Sequence, residues 1–238
     1  MPETALLVTC EHGGNRVPAR YRRLFAGRKA LLASHRGWDP GALALARLLA
    51  GELDAPLLFC DTTRLLADPN RSEGHPALFS ELTRPLPAPE RQALLDRLWR
   101  PHRQAVRQAA ADLIAGRGQV LHLAVHSFTP VLHDRERTMD LGLLYDPARP
   151  REARLAAAWK AVLTRRAPGL RVRRNAPYRG ASDGLATFLR RALGPAYLGL
   201  ELETNQRLFS DPRAAPPDLA RLLADALRNA LTLPAPAG

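Results

Sequence analysis

The 238-residue chain carries a formal net charge of +12, with 35 lysines and arginines against 23 acidic residues. All of those cations except Lys29 and Lys160 are arginines, dispersed and without flanking aromatic residues, which argues against a nucleic-acid partner despite the charge. Two cysteines, Cys10 and Cys60, exclude a disulfide framework, no apolar run approaches the roughly 20 residues of a membrane span, and nothing near Met1 resembles a signal peptide, so a cytoplasmic protein with no membrane partner is expected.

With no break in composition, residues 1–238 are expected to form a single domain, closed by a Pro-Ala tail at 233–238 that should fray. Thr4 to Cys10 is a short apolar run closed by Glu11-His12-Gly13-Gly14, the pattern of a buried strand ending in a loop. Helical spacing of Leu45, Leu48, Leu49 and Leu53 predicts a helix over Pro40 to Leu53, with Asp39 as N-cap and Pro40 at its first position. Pro56 to Cys60 reads as a second strand, and Asp61 to Ser72 as a polar loop. Ala88 to Gly116 is helical, with a break or kink expected at Pro101.

Val120 to Val125 is the clearest central strand and ends in His126-Ser127; Asp140 to Tyr145 follows a basic loop as a shorter apolar run. Arg151 to Arg166 is helical, Leu170 to Arg173 an edge strand, Asp183 to Leu193 a helix, Tyr197 to Glu203 the last strand and Pro217 to Leu231 the last helix. Strands alternating with helices predict an α/β fold, a three-layer αβα sandwich around a largely parallel or mixed sheet. Ligands in such folds gather at strand C-termini, which selects Glu11-His12, Asp61, His126-Ser127 and Glu203-Thr204-Asn205.

Strand alternation sends His122 and His126 to one face, but only His126 stands at the strand end, so His122 is expected to be a satisfied interior histidine. Two histidines and one carboxylate leave a zinc site open for water, which the metal acidifies, and a free carboxylate nearby can take and pass on the proton. His12, Asp39, His126 and Glu203 supply those four roles. No HExxH motif and no CxxC pair is present.

The segments VTCEHGGNRVP, WDPGA, DTTRLLADPNRS, HSFTP, DLGLLYDP, NAPYRGASDGL and LELETNQ, in this order, resemble the N-formylglutamate amidohydrolase family from about Leu6 to Phe209. The resemblance implies a zinc-dependent hydrolase with a zinc-carboxypeptidase-like αβα fold, acting on small N-acyl amino acids such as N-formyl-glutamate. It places one zinc on His12, Asp39 and His126 and the general base on Glu203, with Glu11 or His35 as alternatives to Asp39 and Glu201 as the alternative base. Where related chains have an arginine two residues after the base, this chain has Asn205.

Arginine matches a carboxylate bidentately. Arg71 and Arg179, inside the matched segments, are therefore expected to bind substrate with Asn15 and Asn70, while Arg137 stabilises the oxyanion and Ser127 braces a metal ligand. Two rival readings are an amidase or peptidase for another N-acylated compound and a basic binding module with a vestigial metal site.

Overall fold

The computed structural model describes residues 4–232, so the expected fraying at 233–238 lies outside the described residues. Strands β1 (Ala5–Cys10), β2 (Leu57–Phe59), β3 (Val120–Phe128), β6 (Leu141–Leu144), β7 (Val172–Arg174) and β8 (Tyr197–Asn205) form one sheet in the order β2-β1-β3-β8-β6-β7. The first four in that order run parallel, whereas β6 runs antiparallel to β8 and carries β7 with it. The sheet is thus mixed, with β7 at an edge. A two-stranded hairpin, β4 (Val131–Leu132) and β5 (Arg135–Glu136), interrupts the basic loop before β6.

Apolar residues on both sides of the sheet explain its two helical layers. Helices α2 (Ala42–Glu52), α5 (Pro150–Arg166) and α7 (Pro217–Thr232) pack on one face, joined through Leu45, Leu49, Trp159, Leu163, Leu223 and Leu227. Helices α4 (Arg100–Arg117) and α6 (Leu185–Leu193) cover the other through Val106, Ala110, Leu185 and Leu189. A separate cluster of Tyr21, Phe25, Leu66 and Trp99 anchors the long loop after β2, together with the short helices α1 (Lys29–Ala33) and α3 (Ala88–Leu94). Among the described residues, no helix is long and apolar enough to cross a membrane.

Three local expectations need correction. Helix α2 begins at Ala42, with Gly41 at its N-cap in the left-handed region (φ 79), so Asp39 is not the cap. Gly41 is needed there twice over, because a Cβ would also lie 2.3 Å from the Phe209 ring. Pro101 does not break the helix: a π-turn over Leu95–Trp99 joins α3 to α4 in one helical run, and the displaced hydrogen-bond pattern accommodates a residue without an N–H. Finally, β3 and β8 run on to Phe128 and Asn205, which places His126 inside its strand rather than beyond it and Glu203 two residues short of its strand's end.

His122 is fully buried, as its position implied, between Thr9 Oγ1 (2.7 Å from Nε2) and the Tyr197 hydroxyl (2.5 Å from Nδ1). Burial, only partly opposed by the Glu11 charge, pushes its pKa down to about 4. In the unfolded chain it titrates near 6.5, so between these values the unfolded state binds the extra proton and stability is lost as pH falls. At pH 5 this one group should account for about 2 kcal/mol of lost stability. Urea unfolding at pH 7 and pH 5 should show the difference shrinking by about that amount in His122→Gln; equal pH sensitivity of the two proteins would refute it.

Candidate metal centre

Parallel strands deliver the first two groups. His12 follows the C-terminal end of β1, and His126 stands near the end of its neighbour β3. Asp39 comes from the turn before α2, which is tied to β1 by the Asp39 N–H donating to the His12 carbonyl at 2.9 Å. Both imidazoles present Nδ1 to one oxygen, Asp39 Oδ2, at 3.2 Å from His12 and 3.0 Å from His126. One ligand atom from each of the three buried residues lies within 4.8 Å of the others, a grouping able to hold a metal ion.

Each outward nitrogen faces a further carboxylate. His12 Nε2 lies 2.7 Å from Asp68 Oδ1, and Asp68 is gripped by Arg64, with Nη2 at 2.6 Å and Nε at 3.0 Å from Oδ2. His126 Nε2 lies 3.1 Å from Glu11 Oε2. Each imidazole is therefore held between a carboxylate behind it and Asp39 in front, the arrangement that fixes the tautomer and ring orientation of a ligating histidine. Burial raises the Asp39 carboxyl's pKa, but the charges and hydrogen bonds of His12 and His126 outweigh it and hold Asp39 well below the ordinary range. For Asp68 burial is likewise outweighed, here by Arg64 and His12.

Glu203 pairs with His126 across the β3–β8 ladder and faces Gly142 of β6 on its other side. A Cβ at Gly142 would lie 2.1 Å from the Ala176 carbonyl and 3.1 Å from Glu203 Cβ, so only glycine leaves room there. Glu203 Oε2 is buried and has no hydrogen-bond partner among the described residues. Its pKa is pushed up to about 8 by burial, with His126 opposing and Asp39 and Glu201 adding to the rise.

These groups floor a cavity of about 350 Å³ whose wall includes Asn70, Arg71, Arg137 and Arg179. Arg137 lies over two rings, 5.6 Å from the centroid of Phe128 and 5.5 Å from that of Tyr178, and forms no ion pair among the described residues. Arg71 donates from Nη1 to the Asp183 carbonyl at 2.9 Å, and the Leu185 N–H donates to Asn70 Oδ1 at 2.7 Å. Ser127 donates to the Pro40 carbonyl at 2.6 Å and so ties β3 to the turn that carries Asp39.

Other sequence-selected residues lie elsewhere. Asn15 is not on the cavity wall; its amide donates to the Leu32 carbonyl at 3.0 Å and secures the loop after β1. His35 is exposed at the cavity and outside the three-residue cluster, Glu11 sits behind His126, and Asp61 pairs with Arg16 near the surface. Glu201, the alternative base, lines the same cavity as Glu203 and has no ion pair or hydrogen bond among the described residues. Sequence reasoning missed Asp68. Its signal was Arg64 four residues earlier, but nothing local distinguished it from Asp61.

A sequence profile described as N-formylglutamate amidohydrolase matches residues 4–210. The crystal structure of a gene product from Agrobacterium tumefaciens superposes with a TM-score of 0.82 at 32% identity, covering 97% of this chain and 92% of that one. N-formylglutamate amidohydrolase from Ralstonia eutropha JMP134 is similar in fold, with a TM-score of 0.65 at 21% identity over 96% of this chain and 93% of its own. No relative was found among the curated proteins.

Proposed function

The chain belongs to the N-formylglutamate amidohydrolase family, and from that premise we propose that it cleaves the amide bond of a small N-acyl amino acid, such as N-formyl-glutamate, with one zinc ion held by His12, Asp39 and His126. The observation that carries this reading is the double hold on each imidazole, with a carboxylate behind Nε2 and the shared Asp39 oxygen before Nδ1. Two imidazoles and one carboxylate are a donor set of catalytic zinc sites, so the residues fit the ion. A zinc ion bound there supplies a Lewis acid that polarises a carbonyl and lowers the pKa of water.

Glu203 is the residue that moves the proton. In its ionised form, its buried carboxylate takes a proton from the attacking water at Oε2 and returns it to the leaving nitrogen. Arg137, unpaired on its aromatic shelf, faces the negative charge that grows on the acyl oxygen. Arg71 and Arg179 bind the substrate carboxylates, and Asn70, whose Oδ1 is already engaged, offers its amide nitrogen.

Elemental analysis together with turnover of N-formyl-glutamate and a panel of other N-acyl amino acids tests the proposal. About one zinc per chain is expected, and both zinc and turnover should be lost in His12→Ala and in His126→Ala. If both variants keep full zinc and full activity, the proposed centre is wrong.

A further inference from the structure

We propose that His102 is a positioning residue for this centre, acting through Glu11 on His126; the inference rests on the zinc reading above. Glu11 follows β1 and is fully buried, yet neither of its carboxylate oxygens receives a hydrogen bond. A buried carboxylate in that condition demands partners, and the structure supplies two imidazoles. His126 Nε2 lies 3.1 Å from Oε2, and His102 Nε2 lies 3.7 Å from Oε1.

His102 belongs to α4, in the helical layer on one face of the sheet, and it lines a groove along edge strand β2 with Phe59, Cys60 and Leu98. Its side chain is only 8% exposed, and its Nε2 has no hydrogen-bond partner either. The neighbouring Arg103 is already committed, with its guanidinium against Trp99 and Phe188 and Nη1 donating to the Pro69 carbonyl at 3.0 Å. Glu11 thus stands between two imidazoles, only one of which reaches the cavity.

The consequence is chemical. His126 can turn a bare Nδ1 toward Asp39 and a cation only if Nε2 carries the hydrogen, and Glu11 Oε2, 3.1 Å away, is the acceptor toward which that hydrogen can turn. His102 Nε2, 3.7 Å from the far oxygen, bears on how that carboxylate is turned. The rival account is that His102 merely fills the floor of the groove.

Zinc dissociation constants of the full chain, measured by competition with a chromogenic chelator, separate the two accounts. His102→Leu should weaken zinc binding roughly 10-fold, the low end for outer partners of a ligating histidine, and His102→Gln, which can donate to Glu11, should recover most of that loss. In a Glu11→Gln background the same His102→Leu change should have no further effect, since the pathway is already cut. Equal weakening in both backgrounds, or an unchanged constant, overturns the proposal. Should His102→Leu not fold, His102→Asn, too short to reach Glu11, takes its place. A wild-type chain that holds no zinc sinks the parent reading as well. A wild-type chain that holds zinc indifferently to Glu11 and His102 sinks this one alone.

Discussion

Glu203→Gln is expected to keep its fold and its zinc while kcat falls by roughly 10² to 10⁴, the usual contribution of a positioned general base. The substitution preserves shape and removes the group that can hold a proton at the buried Oε2. Glu201→Gln is the informative companion, because both carboxylates line one cavity and lie two residues apart on β8. Glu201 has no hydrogen bond or ion pair to lose among the described residues, so its replacement should disturb stability little and turnover far less than that of Glu203. It also removes a like charge that helps to push the Glu203 pKa up, so any effect should appear as a downward shift of the pH profile. Steady-state kinetics across pH on both variants decide the matter. Loss of turnover in Glu201→Gln with an active Glu203→Gln would reverse the assignment, and two active variants would remove the carboxylate base altogether.

The largest expected effect on stability lies away from the cavity, at the buried pair Glu152 and Arg190. Arg190 Nε lies 3.0 and 3.1 Å from the two Glu152 oxygens, while Nη1 and Nη2 donate to the carbonyls of Gly180 and Gly199 at 2.6 and 2.9 Å. Glu152 in turn accepts from the N–H groups of Gly199 at 2.9 Å and Asp146 at 3.0 Å. Both side chains are buried and well provided with partners; removing Glu152 strands Arg190 as an unpaired charge, whereas removing Arg190 leaves Glu152 with Arg149 Nε at 3.5 Å. Glu152→Leu alone should cost about 3 to 5 kcal/mol, and Arg190→Met less, because Arg149 stays within reach of Glu152. The double variant should lose much less than the sum, since no bare charge then remains. Denaturant unfolding of the four proteins measures this directly, and strictly additive losses would contradict it.

How much of this was legible in the sequence depends on what each element needed from its surroundings. The tips of β1, β3 and β8 announce themselves, because a continuous apolar run ending abruptly in His12, His126 or Glu203 leaves those polar groups one place to go. The direction of β6 was not legible, since a four-residue apolar run looks the same whichever way it pairs. Nor could the hairpin over Val131–Leu132 and Arg135–Glu136 be read, where positive φ falls on His133 and Asp134 rather than on glycine. Asp39 reads in the sequence as a helix cap, which it is not, rather than as a carboxylate turned inward, because that choice is made by His12 and His126 from other parts of the chain. Asp68 and His102 were invisible for the same reason: their partners are remote in sequence, and only the packing of α4 and of the loop after β2 brings them near.

Helix α7 lies entirely beyond the 4–210 stretch that matches the family, yet its Leu223, Ala224 and Leu227 are fully buried between α2 and α5, and the Trp159 indole donates to the Leu223 carbonyl at 3.2 Å. The end of the family profile is therefore not the end of the packed core. A fragment ended at the last matched residue would retain every candidate site residue but bare the seam between α2 and α5. An apolar face of that kind invites self-association, so such a fragment would be lost to aggregation before its chemistry could be assayed.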